Sequence, residues 1–145
     1  MTDGAIPVMI FGMQRTLPPL FEVYPHLAST VPHLNLGTFP TPAEQLSHLG
    51  HPGLWIKRDD LSSDLYGGNK VRKLEFVLAD ALRKGRRRVV TMGGIGTNHG
   101  LATAMFCDSL SLGCTLLLFH QPVTRHVLQN LLLFHTFRSE MRYYR

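Results

Sequence analysis

Gly67-Gly68-Asn69-Lys70-Val71-Arg72-Lys73-Leu74-Glu75 marks a change of pattern in the chain. Before it, residues 59 to 68 are polar and glycine-rich, the composition of a loop. From Asn69, a residue suited to capping, apolar side chains recur at Val71, Leu74, Val77, Leu78, Ala81 and Leu82. That spacing predicts an amphipathic helix running to about Lys84. Gly85 is placed to end it. Arg83, Lys84, Arg86, Arg87 and Arg88 crowd this end, where cations meet the negative pole of a helix dipole.

Working outward, Leu54-Trp55-Ile56-Lys57-Arg58 reads as a strand upstream. Downstream, Arg88 to Met92 is a short apolar strand and Gly93 to Gly96 a turn. Thr97 to about Leu112 is a second helix, Thr115 to Phe119 a third strand, and Val123 to about Phe137 a third helix capped by Thr124. Alternating strands and helices predict an α/β fold: an open parallel sheet with flanking helices. Most of the prolines fall within residues 1–45, which predicts an irregular N-terminal arm. Within it, Thr41-Pro42-Ala43-Glu44-Gln45 carries a helix-start signature, with Thr41 as cap and Glu44 completing a capping box. The expected division is therefore an arm over 1–45 and a partial α/β domain over 46–145. The chain stops at Met141-Arg142-Tyr143-Tyr144-Arg145, soon after the third helix, so the α/β domain reads as truncated at its C-terminus.

Composition narrows the function classes. Of 145 residues, 44% are hydrophobic and 17% charged, which fits a globular chain and not a disordered one. No run of about 18 apolar residues suggests a membrane span, and the first ten residues lack the layout of a signal peptide. Cys107 and Cys114 form no CxxC pair and are expected to be free thiols in a reducing cytoplasm. The net charge of +5 is concentrated in the 83–88 patch. Without a nucleic-acid-binding motif, that patch reads as a solvated helix end, and no nucleic-acid partner is expected. The eight histidines show no HExxH or other metal-ligand spacing, so no metal is expected, and His126 and His135 read as surface or packing residues.

Chemistry concentrates in two glycine-rich segments. Leu65-Tyr66-Gly67-Gly68-Asn69-Lys70 and Gly93-Gly94-Ile95-Gly96-Thr97-Asn98-His99 each lead into a helix. Ligands of open α/β sheets bind beyond the carboxyl ends of strands, and helix N-termini offer free N–H groups to anions. Lys70 stands at the unfavourable end of its helix dipole, with Arg72 and Lys73 nearby. All three effects favour a neutral, nucleophilic amine, although an exposed lysine on a polar helix face fits the same pattern. Thr97, Asn98 and His99 supply a hydroxyl, an amide and an imidazole suited to a carboxylate clamp, or an ordinary cap. The spacing Gly94-x-Gly96-x-x-x-Gly100 is a weak dinucleotide signal. It lacks the expected acid, because Phe119-His120-Gln121 stands in that place.

Three segments together resemble one family: Ile56-Lys57-Arg58-Asp59-Asp60, the Gly67-to-Glu75 stretch, and Gly93-Gly94-Ile95-Gly96-Thr97-Asn98-His99. They are similar to the 1-aminocyclopropane-1-carboxylate deaminase and D-cysteine desulfhydrase family, fold type II pyridoxal-phosphate enzymes of the tryptophan synthase β-like group. Phe39-Pro40-Thr41-Pro42, Gln121-Pro122-Val123-Thr124 and Asn130-Leu131-Leu132-Leu133 extend the likeness over about 36–140. The resemblance implies an incomplete, N-terminal part of that fold and pyridoxal 5'-phosphate as cofactor. It implies Lys70 as the Schiff-base lysine, with Lys73 the alternative. It implies that Asn69 lies beside the cofactor and that Asn98 hydrogen-bonds the pyridoxal 3-oxygen. Thr97, Asn98 and His99 would hold the carboxylate of a small amino-acid substrate. The parent would be a homodimeric lyase or deaminase releasing ammonia and a 2-oxo acid. Thr97 stands where the family commonly has serine, and Gly96 where it often has glutamine. The phosphate loop, the partner of the pyridine nitrogen and active-site tyrosines belong to the family's second half, so this chain alone is expected to be inactive. A non-catalytic small-molecule-binding module and a nucleotide-binding domain are the alternative readings.

Overall fold

In the computed structural model, residues 17–144 are described. A short helix α1 (Pro19–Val23) and a 3-10 turn over Pro25–Ser29 open this part of the chain. Two strands, β1 (Ala43–Gln45) and β2 (Trp55–Lys57), pair antiparallel as a small ribbon. The regular part follows: α2 (Lys70–Arg83), β3 (Arg88–Gly94), α3 (Asn98–Ser109), β4 (Gly113–Phe119), α4 (Arg125–Thr136) and β5 (Glu140–Tyr144). β3, β4 and β5 form a three-stranded parallel sheet in that order.

The α/β class and its flanking helices agree with the sequence pattern, but several elements differ. Residues 41–45 form no helix. Ala43, Glu44 and Gln45 pair with Lys57, Ile56 and Trp55 instead. The side chains that signalled a helix start have other partners: Thr41 Oγ1 donates to Asp59 Oδ1, and Glu44 binds the Arg58 guanidinium. The strand read at 54–58 therefore belongs to this ribbon, not to the parallel sheet. The sheet's third strand is β5, whose alternation of Glu140, Arg142 and Tyr144 with Met141 and Tyr143 carries too little apolar character to announce a buried strand. The glycine turn is also shorter than expected, since Gly93 and Gly94 still pair with Leu118 and Phe119.

The register divides the sheet into two unlike faces. Val89, Thr91, Cys114, Leu116 and Leu118 share one face. Leu116 and Leu118 are buried there in one cluster with Leu101, Phe106 and Cys107 of α3, Phe134 of α4, and Val71, Leu74 and Leu78 of α2. Val90, Met92, Leu117 and Phe119 share the opposite face, and Met92 there is 67% exposed. α2 buries a slightly different stripe from the predicted one. Glu75 and Ala79 are inside, whereas Val77 is exposed.

Glu75 explains how the arm attaches. Its buried carboxylate accepts hydrogen bonds from the backbone N–H of Leu36 (3.0 Å) and Gly37 (3.2 Å) and lies 3.3 Å from His33 Nε2. The arm is thus tied to the same helix that begins at Lys70. Cys107 and Cys114 are both free and buried, as expected. No helix among the described residues is long and apolar enough to cross a membrane, and no group of three or more potential metal-ligating side chains occurs among them.

Candidate functional site

Chain direction puts three helix starts at one end of the sheet. β3 runs to Gly94 and α3 begins at Asn98; β4 runs to Phe119 and α4 begins at Arg125. α2 ends at Arg83, shortly before β3 begins, and packs on α3. Its first residue, Lys70, therefore lies toward the carboxyl end of β3. Electrostatics agrees: the His99 imidazole is pushed below its ordinary pKa of 6.5 by burial, and then by the charges of Lys73 and Lys70. The two glycine-rich segments thus meet in one neighbourhood.

Lys70 is half-buried, and its Nζ donates to Asn69 Oδ1 at 2.6 Å. Asn69 occupies the cap position of α2 but makes no side-chain cap bond, so its amide turns to the lysine instead. The loop before them is held closely. A Cβ on Gly67 would collide with the Asp60 carbonyl oxygen, and Gly68 sits at φ +131, a conformation open to glycine. Buried Ser62 Oγ accepts from Gly68 N–H and lies 3.0 Å from Gly68 O. Arg72 does not act as a bare cation beside Lys70. It pairs with Asp59 (2.7 Å), bonds Thr41 Oγ1 and lies over the Phe39 ring at 4.3 Å. The same guanidinium holds the Asp59 carboxyl below its usual range. The expectation that Arg72 presses on the Lys70 amine is corrected accordingly; Lys73 remains as the neighbouring charge.

In the second segment, Thr97 Oγ1 caps α3 by accepting from Gly100 N–H at 3.2 Å. Its own hydroxyl hydrogen remains available to a ligand. His99 is half-buried, and its Nδ1 is shielded from water without a hydrogen-bond partner. Asn98 is exposed, yet its side chain is oriented. Oδ1 accepts from Asn130 Nδ2 (3.0 Å) and lies 2.9 Å from His126 Nε2. Gln121 packs against the turn: a Cβ on Gly94 would collide with its amide oxygen, and one on Gly96 would meet its nitrogen and Val127.

His126, read from sequence as a surface or packing residue, thus contacts the candidate site. Asn130 was missed as a site residue. A signal was available, because the buried face of α4 reads Val127, Asn130, Phe134, and an amide at a core position demands a polar partner. Two concavities lie elsewhere: about 410 Å³ lined by His51 to Leu54, and about 320 Å³ around Asp108, Ser111 and Arg138.

Comparison with known proteins identifies the family. The family described as "Pyridoxal-phosphate dependent enzyme" matches residues 34–136. D-cysteine desulfhydrase of Salmonella paratyphi A is 46% identical over 96 residues, covering 64% of this chain and 29% of that protein. A putative 1-aminocyclopropane-1-carboxylate deaminase of Pyrococcus abyssi is 38% identical over 102 residues, 68% of this chain and 31% of the relative. The crystal structure of an ACC deaminase homologue superposes with a TM-score of 0.69 at 34% identity, covering 88% of this chain and 38% of its own. The chain spans about a third or less of the length of the curated relatives it matches. Over that span it belongs to the pyridoxal-phosphate dependent enzyme family.

Proposed function

We propose that this chain carries the lysine-bearing part of the active site of a lyase or deaminase acting on a small amino acid, of the D-cysteine desulfhydrase or 1-aminocyclopropane-1-carboxylate deaminase type. The observation that carries the reading is the convergence of Lys70, Asn98 and His99 at the carboxyl end of the sheet, where Lys70 and Lys73 act on His99. The residues present fit pyridoxal 5'-phosphate. An amine suits its aldehyde, an outward amide N–H suits its ring oxygen, and the orphaned Nδ1 of His99 awaits a polar partner. Bound there, the cofactor supplies an electron sink for bonds at the substrate α-carbon.

The chain's own groups have separable tasks. Lys70 is the amine that would hold the cofactor, and the same amine would move protons as a general base. Asn69 holds the Lys70 Nζ in place through its Oδ1. The α3 start orients the substrate carboxylate: the Thr97 hydroxyl, the Asn98 amide and the His99 ring lie in sequence at a helix N-terminus. Lys73 adds positive charge beside the same anion.

The experiment is borohydride reduction of the chain with pyridoxal phosphate, followed by peptide mapping. Label on Lys70, lost in Lys70→Ala and kept in Lys73→Ala, is expected. Label on Lys73, or no site-specific label, overturns the assignment. Turnover is expected to need the remainder of a full-length relative, so pyruvate release from D-cysteine by the purified 145-residue chain would contradict the fragment reading.

A further inference from the structure

We infer that Asn130 is a positioning residue that fixes which end of the Asn98 amide faces the ligand; the ligand's identity rests on the proposed function, the positioning does not. The argument begins at a group with no ambiguity. The Gly96 carbonyl can only accept, so the Asn130 atom 2.8 Å from it is Nδ2. The same Nδ2 lies 3.0 Å from the Asn98 side chain. With one hydrogen given to Gly96, its second must meet an acceptor; the Asn98 side chain at 3.0 Å is nearer than His126 Nε2 at 3.4 Å, so Asn98 turns its Oδ1 inward. His126 Nε2, at 2.9 Å from that oxygen, is then the protonated ring nitrogen and a second donor. Both lone-pair directions of Oδ1 are taken. What Asn98 presents outward is therefore Nδ2, a pure donor, selective for an anionic or carbonyl oxygen and unsuited to another N–H.

Burial ranks the two supports. Asn130 is 2% exposed, so its bonds have no competing water and an unmade one is costly. His126 is exposed, and solvent can replace it. Asn130 also ties α4 to the turn between β3 and α3, so the amide's orientation and the turn's position are set by one residue.

The first measurement needs no variant and no cofactor. In nuclear magnetic resonance of the chain, the two side-chain amide groups should show no short proton–proton contact, because only Asn130 directs hydrogens at the other. A strong cross-peak between the Asn98 and Asn130 amide protons means the opposite orientation and overturns the inference. The second uses pyridoxal phosphate binding. Asn130→Leu should weaken it about tenfold or more, the worth of a hydrogen bond to a charged oxygen. In an Asn98→Ala background the same change should have no further effect. Equal weakening in both backgrounds overturns the role through Asn98. If Asn130→Leu does not fold, Asn130→Asp serves, since it keeps the shape and repels both the Gly96 carbonyl and Asn98 Oδ1. His126→Ala should cost about threefold or less. Absence of any cofactor binding by the unaltered chain would count against the proposed function alone, because the amide orientation is read without it.

Discussion

His99 is pushed below its ordinary pKa at the site. Burial disfavours its charged form, and the lysines at the start of α2 add to that. The folded state then binds fewer protons than the unfolded state below pH 6.5. This contribution to stability is present above 6.5 and is lost as the pH falls toward the lowered value. Lys73→Met keeps the aliphatic stem and removes the larger of the two charge effects. The His99 titration midpoint, followed by ring-proton resonances, should rise toward 6.5 without reaching it, since burial persists. Lys70→Met should give a smaller rise, and added salt should shrink both. No change in either variant would mean that the two glycine-rich segments do not share a neighbourhood. The residues of those segments were legible in the sequence because clustered glycines and a lysine at a helix start are costly as plain structure. For Asn130 the sequence marked an amide at a core position but not its partner, because the Gly96 carbonyl is 34 residues away and a backbone acceptor leaves no mark on sequence.

At the level of elements, α2 holds the site at one end and the arm along its side. Its buried Glu75 is the link, and it breaks the apolar stripe that periodicity predicts. Glu75→Ala would leave the Leu36 and Gly37 N–H groups without their acceptor in a half-buried place. The cost should be about 2–4 kcal/mol in urea unfolding, given one to two lost charge-assisted bonds. Glu75→Gln keeps a carbonyl acceptor and should cost about 1 kcal/mol. Hydrogen exchange at Leu36 and Gly37 should speed up in the alanine variant while that of the Leu34 amide changes less, since Leu34 donates to the Glu75 backbone carbonyl. Of the long helices, α2 and α4 were readable by their apolar period, and α3 and α4 by their capping threonines, Thr97 and Thr124. The β1–β2 ribbon was only half readable: β2 was read as a strand, but its partner β1 was read as a helix start. Its strands are three residues each, too short for a period, and the Thr-Pro-x-Glu signal is redirected by Asp59 and Arg58, side chains that only the tertiary fold brings there.

Across the whole molecule, the sheet is unevenly covered. Parallel sheets are ordinarily buried on both faces, yet here α3 and α4 cover one face while Val90, Met92 and Phe119 are 59%, 67% and 51% exposed on the other. The amino end of that face is polar: Arg88 bridges Thr115 Oγ1 and Glu140 Oε2, and Arg142 pairs with Glu140. The apolar exposure is thus concentrated toward the carboxyl ends of the strands, the same end as the site. A contiguous patch of this kind drives association in water. The 145-residue chain should therefore self-associate at high concentration, and Val90→Lys with Met92→Lys should reduce this in sedimentation velocity. Because both side chains stand in solvent, the melting temperature should change little, in line with surface substitutions of about 0.5 kcal/mol or less. The outer edges of β3 and β5, unpaired among the described residues, are the competing source of association. Those edges pair through backbone, so the lysine variants would leave such assembly largely intact. Unchanged association in the double variant would therefore move the cause from the face to the edges, whereas a large fall in stability would show that the face is packed rather than bare.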